Sequence, residues 1–207
     1  EKEPHVGFEV GPPDINKSAP SFSVVFENDE PHTNIRGSIR FGLGAVKGAG
    51  GVAVSAIVEE REQNGPYKSL FDFCSRLSGR VVNRATIEAL IRGGAFDVLH
   101  DVESRAALIA ALDNAISFGA SEAEDRRVGQ GGLFSGDTEA SVEKEVEWKL
   151  PDVKPWTKQQ LLAQEKEVLG IHVSGHPLDD HNEYLESWCS HMTPMLREVQ
   201  DGREVVV

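Results

Sequence analysis

Apolar residues recur at helical spacing through the centre of the chain. The spacing predicts one helix over about residues 51–63 and further helices in "SLFDFCSRL", "VNRATIEALIR" and "ESRAALIAALDNAISFGA". The candidate N-caps and stops of these helices are Ser69, Asn83, Asn64-Gly65, Gly93-Gly94 and Gly119. The centre is therefore predicted to be mainly α, with tight glycine turns between the helices.

Weaker patterns flank this helical centre. Phe22–Phe26 and "GSIRFGLGAV" are β-type runs among turn residues, which predicts short β elements at the N-terminal end. Residues 121–156 lose their periodicity and are interpreted as a flexible linker. "TKQQLLAQEKEVLG" predicts an amphipathic helix that starts near Thr157 or Lys158 and stops at Gly170. A short strand, a turn and a further helix are expected after it.

The two ends of the chain suggest a fragment of a longer protein. The sequence begins "EKEPHVGF" without Met and stops in "REVVV", a β-branched run that is typical of the first strand of a further domain. We therefore expect the last residues to form a truncated strand.

Composition excludes several classes of protein. With 39% hydrophobic and 27% charged residues the chain has ordinary globular composition, and it has no apolar run long enough to predict a membrane span. Cys74 and Cys189 lie far apart without CxxC spacing, so neither a disulfide scaffold nor a zinc ribbon is expected. A reducing, cytoplasmic location is the expectation that follows.

The net charge of −13 is distributed unevenly. From Asn34 to Ala120, ten Lys and Arg residues stand against nine Asp and Glu, which leaves eleven against twenty-five in the rest of the chain. Because the central segment is nearly neutral, the acidic total does not exclude contact with DNA phosphates there.

The first candidate site is the turn in "VKGAGGVAVSAIV". Gly48, Ala49 and Gly50 form a Gly-x-Gly turn before a helix, where backbone N–H groups and the helix dipole create an anion site that suits a phosphate. Lys47 adds a positive charge beside the turn. Alternatively, the glycines only permit a tight turn between helices, and the pattern by itself leaves both interpretations open.

The second candidate site is "LIRGGAFD". Arg92 precedes the paired glycines Gly93 and Gly94, and Arg84 belongs to a group of arginines around the same turn. Two such turns about 45 residues apart match a tandem helix-hairpin-helix, a module that holds the DNA backbone without reading bases. Here too an alternative stays open, in which "GGAF" is a helix C-cap with Phe96 in the core.

Histidines near the C-terminal end raise the question of a metal site. The candidate ligands are His172, His176, His181, His191 and Cys189. Gly175 and Pro177 interrupt any helix that would place His172 and His176 on one face, so no metal site is predicted.

The blocks described so far resemble a known family in their order and spacing. "GPPDIN", "IRFGLGAVKGAG", "SLFDFCSRL", "VNRATIEALIRGGAFD" and "EKEVLGIHVSGHPLDDH" resemble the alpha subunits of bacterial DNA polymerase III, the C-family replicative polymerases. The resemblance implies that residues 1–40 are the end of the fingers region and 41–120 a tandem helix-hairpin-helix DNA-binding domain. It also implies that residues 121–156 are a linker and 157–207 a helical connection to an OB domain, whose truncated first strand is "EVVV".

The resemblance carries expectations about chemistry and partners. The family's catalytic aspartates belong to the palm region, and no Asp-x-Asp pair in a strand context occurs in this sequence. We therefore expect no catalytic residue, cofactor or metal ligand in this chain, whereas the intact enzyme is a DNA-directed DNA polymerase for which Mg²⁺ is implied. The implied partners are duplex DNA, the sliding clamp and other replicase subunits, in the cytoplasm and without a membrane.

The family also has a short clamp-binding peptide of the form Gln-x-x-Leu-Phe after the helix-hairpin-helix region. "GQGGLF" fits this form at Gln130, Leu133 and Phe134. An extended peptide can insert Leu and Phe into an apolar pocket while the Gln amide bonds at the rim. Gly131 and Gly132, where the family often has an apolar or acidic residue, raise the entropy cost of ordering the peptide.

Two other interpretations compete with a replicative polymerase. The error-prone paralogue of the same family shares the helix-hairpin-helix region. A protein-interaction scaffold would instead use the glycine turns for internal packing and the acidic flanks to bind a basic partner, without DNA contact.

Overall fold

A computed structural model describes residues 10–26, 37–77, 81–128, 149–181, 187–189, 199, 202 and 205–206. The chain forms two compact units, residues 1–173 and 174–207. The three predicted domain boundaries, at residues 40/41, 120/121 and 156/157, all fall inside the first unit. The candidate turns lie in this unit as well.

A small sheet is formed by three strands near the N-terminal end, and the second and third of them lie in the two β-type runs, whereas the first was not predicted. The strands are β1 (Val10–Gly11), β2 (Ser23–Val25) and β3 (Ser38–Arg40). The central strand β3 pairs parallel with β1 and antiparallel with β2, with Ile39 opposite both Val10 and Val24.

Helices make up most of the described chain, which confirms the mainly α prediction. They are α1 (Gly51–Asn64), α2 (Leu70–Arg76), α3 (Arg84–Arg92), α4 (Asp97–His100), α5 (Arg105–Val128) and α6 (Lys158–Leu169), with 3-10 turns at Leu43–Ala45 and Asp179–His181. Helices α2 and α3 pack against α5, and α6 packs against α3.

Local capping explains where several helices begin. The Ser69 hydroxyl accepts from the Asp72 N–H at 3.1 Å, and the Asn83 side chain accepts from the Thr86 N–H at 2.9 Å. Thr157 forms a capping box with Gln160 at the start of α6. These caps satisfy N–H groups that a helix leaves without partners at its start, and all three helix starts were predicted correctly.

The prediction that Gly119 ends a helix is wrong. Gly119 lies inside α5, which continues to Val128 and so extends into the predicted linker. A Cβ at this position would lie 2.2 Å from the Cys74 carbonyl oxygen of α2. The glycine therefore allows two helices to approach closely, and no turn is formed there.

The core of the first unit lies beneath the two candidate turns. The buried Phe73 ring is 4.9 Å from the Tyr67 ring and 5.2 Å from the Phe96 ring, measured between centroids. Ile15 belongs to the same core and its N–H donates to the Ala95 carbonyl at 2.8 Å, which attaches the segment after β1 to the second turn.

Residues after α6 differ from the predicted strand. Gly170 ends the helix in the left-handed conformation, with φ of 78°. Residues 171–174 then form bends and irregular backbone, because the Val173 N–H donates to the Glu165 carboxylate at 2.9 Å where a strand would need a backbone partner. In the second unit, the described part of "EVVV" is Val205–Val206, so the expected OB-type strand stays a prediction.

Candidate nucleic-acid interface

The first candidate turn connects the 3-10 turn at Leu43–Ala45 with α1. Gly48 has φ of 98°, a left-handed conformation that favours glycine. The Lys47 N–H donates to the Val168 carbonyl at 2.8 Å, and the Gly48 carbonyl accepts from the Thr86 hydroxyl at 3.1 Å. The turn is thus held in place by α3 on one side and by the end of α6 on the other.

The start of α1 has the features of an anion site. Gly50 is the N-cap, with extended backbone and no side-chain cap, and the first turn carries no acidic residue. Gly50 and Gly51 are exposed, and a Cβ at either would meet no atom within 4 Å. Lys47 is also exposed, whereas Ala49 is buried beneath the turn. The N–H groups at the start of the helix are therefore open to an approaching phosphate.

The second candidate turn is built differently. Gly93 and Gly94 are buried, and their N–H groups donate at 3.0 Å to the carbonyls of Ala89 and Ile91. Gly94 has φ of 86°, and a Cβ there would lie 2.3 Å from Arg105 Nη2. The turn therefore has the features of the helix C-cap alternative, with Phe96 fully buried behind it.

The two arginines predicted to contact DNA both have carboxylate partners. Arg92 Nη2 lies 3.0 Å from Glu167 Oε2, and its Nε donates to Gln164 Oε1. Arg84 Nη1 and Nε lie 2.5 Å from Glu88 and 2.7 Å from Asp113. A phosphate contact by either arginine would therefore compete with these carboxylates for the same guanidinium.

A single surface groove brings several of these residues together. It has a volume of about 300 Å³ and is lined by Lys47, Gly48, Ala85, Glu88, Ala89, Arg92, Glu167 and Val168. The groove joins the first turn to Arg92 across α3. Arg92 and Lys47 thus share one surface, as a phosphate-binding face requires, although two carboxylates line it as well.

Sequence reasoning missed a buried charged cluster of Asp97, Arg105 and Glu165. Arg105 and Glu165 are both fully buried, with Nη1 2.9 Å from Oε1, and Asp97 binds the same guanidinium at 2.5 Å. Burial raises the pKa of Asp97, and Arg105 only partly offsets that effect. Burial acts to lower the pKa of Arg105, but Asp97 and Glu165 outweigh it and raise the value. The cluster joins α4, α5 and α6 behind the second turn.

The histidines after α6 make local hydrogen bonds. His172 Nδ1 lies 3.1 Å from the Leu162 carbonyl, and His176 Nδ1 accepts from the Leu178 N–H at 3.2 Å. Within the described ranges, no group of three or more His, Cys, Asp or Glu side chains is arranged to hold a metal ion.

The predicted clamp-binding residues Gln130, Leu133 and Phe134 lie outside the described residues, just beyond the end of α5. In the part of the chain that the structure covers, no helix is both long and apolar enough to cross a membrane.

The first half of the chain matches a known protein family. A protein-family model described as a helix-hairpin-helix motif matches residues 7–108, which contain both candidate turns. The mainly helical fold therefore contains a helix-hairpin-helix domain.

The chain is also similar in sequence to alpha subunits of DNA polymerase III. The chain is 41% identical over 178 residues to the DNA polymerase III subunit alpha of Deinococcus radiodurans and 43% identical over 173 residues to that of Thermus aquaticus. It is 35% identical over 198 residues to the Haemophilus influenzae subunit. These matches cover 86%, 84% and 96% of this chain, so it belongs to the family of DNA polymerase III alpha subunits. It spans only 12% to 16% of the length of these relatives.

Proposed function

We propose that this chain is the part of a replicative DNA polymerase that holds duplex DNA by its backbone phosphates, without sequence preference. The observation that carries the proposal is the uncapped, exposed start of α1, with Lys47 beside it and no acidic residue in the first turn. N–H groups at a helix start recognise phosphate oxygens, which are the same at every base pair.

The first turn contributes the primary phosphate contact through Lys47, Gly48 and Gly50. The buried second turn supports it by fixing α3 and α5, whereas contacts from Gly93 and Gly94 would require their N–H groups to exchange partners. Arg84 and Arg92 are secondary contacts, because each is already paired with a carboxylate that competes with the phosphate. The nearly neutral charge of residues 34–120 is compatible with this role, because the acidic residues are concentrated in the flanks.

Duplex titrations of the full chain at several salt concentrations test the DNA contact. We expect Lys47→Glu to weaken binding to two duplexes of unrelated sequence about equally and to reduce the salt slope by about one phosphate contact. Lys68→Glu is the matched control, because Lys68 is also exposed but lies at the start of α2. Equal losses in both variants would show only a general charge effect, and no loss in Lys47→Glu would contradict the proposal.

We also propose that Gln130, Leu133 and Phe134 bind the sliding clamp as an extended peptide. The support is the residue pattern, its position directly after α5, and the membership of the chain in the alpha-subunit family. Two apolar side chains that fill a pocket act as hot spots, so the Leu133→Ala, Phe134→Ala pair is expected to weaken clamp binding at least about 100-fold.

Calorimetric titration of the full chain with the purified clamp measures this effect. Val153→Ala is the control, since Val153 is a partly exposed apolar residue near the start of α6. An unchanged affinity in the double variant would reject the clamp peptide, whatever the result for DNA.

For the intact protein we propose DNA-directed DNA polymerase activity in the cytoplasm, with other replicase subunits as partners. The relatives' name, DNA polymerase III subunit alpha, supports the polymerase activity and the presence of further subunits. Catalytic aspartates and the Mg²⁺ they hold would belong to parts of the protein outside this chain, which alone would then be inactive.

A further inference from the structure

Arg92 forms an ion pair with Glu167 of α6, and both residues line the groove. Arg92 Nη2 lies 3.0 Å and Nη1 3.4 Å from the two oxygens of the Glu167 carboxylate. The carboxylate thus meets the guanidinium fork with both oxygens, as a phosphate group does. Gln164, one turn earlier on α6, accepts from Nε of the same guanidinium.

Glu167 is the carboxylate in this groove that can leave most easily. Its side chain is 58% exposed, whereas Glu88 is 31% exposed and is also bound to Arg84. Rotation of Glu167 would not release α6 from the domain. The Lys47 N–H still donates to the Val168 carbonyl at 2.8 Å, and Glu165 stays bound to Arg105 at 2.9 Å.

The charge of Glu167 opposes the ligand of the first turn. Glu167, Lys47 and Gly48 line the same groove of about 300 Å³, so a phosphate at the turn lies within the range of this carboxylate. The same carboxylate also occupies the guanidinium that could otherwise contribute a second phosphate contact.

We propose that Glu167 is an occluding residue: it occupies Arg92 when DNA is absent and gives it up to a backbone phosphate when duplex DNA binds at the first turn. This inference rests on the DNA-binding function proposed above. Glu167 therefore reduces duplex affinity, and removal of its charge leaves Arg92 available before DNA arrives.

The test is a duplex titration of the full chain at low salt with wild type and Glu167→Gln, using one duplex of arbitrary sequence. Because an exposed ion pair is worth up to about 1 kcal/mol, which is about fivefold in Kd, we expect Glu167→Gln to bind about two- to fivefold tighter. Glu62→Gln is the matched control. It removes the same charge from an exposed residue of α1 that lies ~17 Å from Gly51 along the helix axis.

A double-mutant cycle with Arg92→Gln separates occlusion from simple repulsion. If Glu167 acts mainly by occupying Arg92, the gain from Glu167→Gln is much smaller when Arg92 is already replaced, and the gain that is left measures direct repulsion between Glu167 and the phosphate. A gain of the same size in both backgrounds, an equal gain in Glu62→Gln, or no gain at all would overturn the inference. Circular dichroism melting of each variant checks that the fold is retained.

The titration also separates this inference from the function on which it rests. If wild type binds duplex DNA and Glu167→Gln binds it equally well, the proposed function is retained and the occluding role is refuted. Absence of duplex binding by both proteins refutes both proposals, whereas binding by Glu167→Gln alone would support both.

Discussion

Replacement of Gly119 by alanine tests the packing of α2 against α5. A Cβ at this position lies 2.2 Å from the Cys74 carbonyl oxygen and 2.5 Å from the carbonyl carbon, whereas ordinary contacts begin near 3.4 Å. The atoms belong to the backbone of α2, so no side-chain rotation can relieve the overlap. The two helices would have to separate by about 1 Å along a contact that forms much of the core.

Two effects of opposite sign decide the result for Gly119→Ala. Alanine is a better helix former than glycine, which stabilises the helix by about 1 kcal/mol. Overpacking of a core contact destabilises by about 1–3 kcal/mol, and a clash with backbone lies at the upper end of that range. The expected net loss is therefore about 2 kcal/mol, or a decrease in Tm of roughly 4–8 °C for a chain of this size.

Thermal and urea unfolding followed by circular dichroism measure this loss. Ala120→Gly is the matched control, because Ala120 is exposed on the same helix and reports helix propensity alone. We expect it to destabilise by about 1 kcal/mol. If Gly119→Ala were as stable as wild type or more stable, the close approach of α2 and α5 would be refuted.

Two further predictions concern the cluster behind the second turn and the start of α2. Glu165→Ala should lower the free energy of unfolding by about 3 kcal/mol, because it leaves the buried Arg105 without one of its carboxylates, whereas Glu167→Ala should change it by less than about 1 kcal/mol in the same urea titrations. His100 Nε2 accepts from the Leu70 N–H at 3.2 Å, and burial lowers its pKa from the ordinary 6.5. The unfolded state then binds a proton more readily than the folded state. The free energy of unfolding should therefore fall as pH decreases below about 6.5 and level off below the folded pKa of His100. This part of the pH dependence should be missing in His100→Asn. Identical pH profiles for the two proteins would contradict the assignment.

Features that depend on neighbouring residues were predictable from the sequence. The caps at Ser69, Asn83 and Thr157 each use an N–H three residues ahead, so the pattern contains both partners. The turn glycines are also local features. Gly48 and Gly94 have left-handed backbones, which glycine adopts without steric cost whatever its neighbours are.

Features that depend on distant residues were not predictable in the same way. From the sequence alone, Gly119 is interpreted as a helix stop. A glycine is needed there because the Cys74 backbone, in another helix, leaves no room for a side chain. Arg105 and Glu165 are 60 positions apart, and neither is recognisable from its surroundings as a buried charge. The carboxylate partner of Arg92 is Glu167 of α6. The sequence therefore indicated the arginine but not the ion pair that it forms.

The hydrogen bond from the Lys47 N–H to the Val168 carbonyl makes the first turn and the end of α6 parts of one thermodynamic unit. Linkage between two such elements is reciprocal. A ligand that binds only the ordered turn must lower the fraction of molecules in which the end of α6 is open, and a change that frays α6 must weaken binding of that ligand. Amide hydrogen exchange at Lys47 would therefore report the occupancy of the turn from within the protein, without any probe on the ligand.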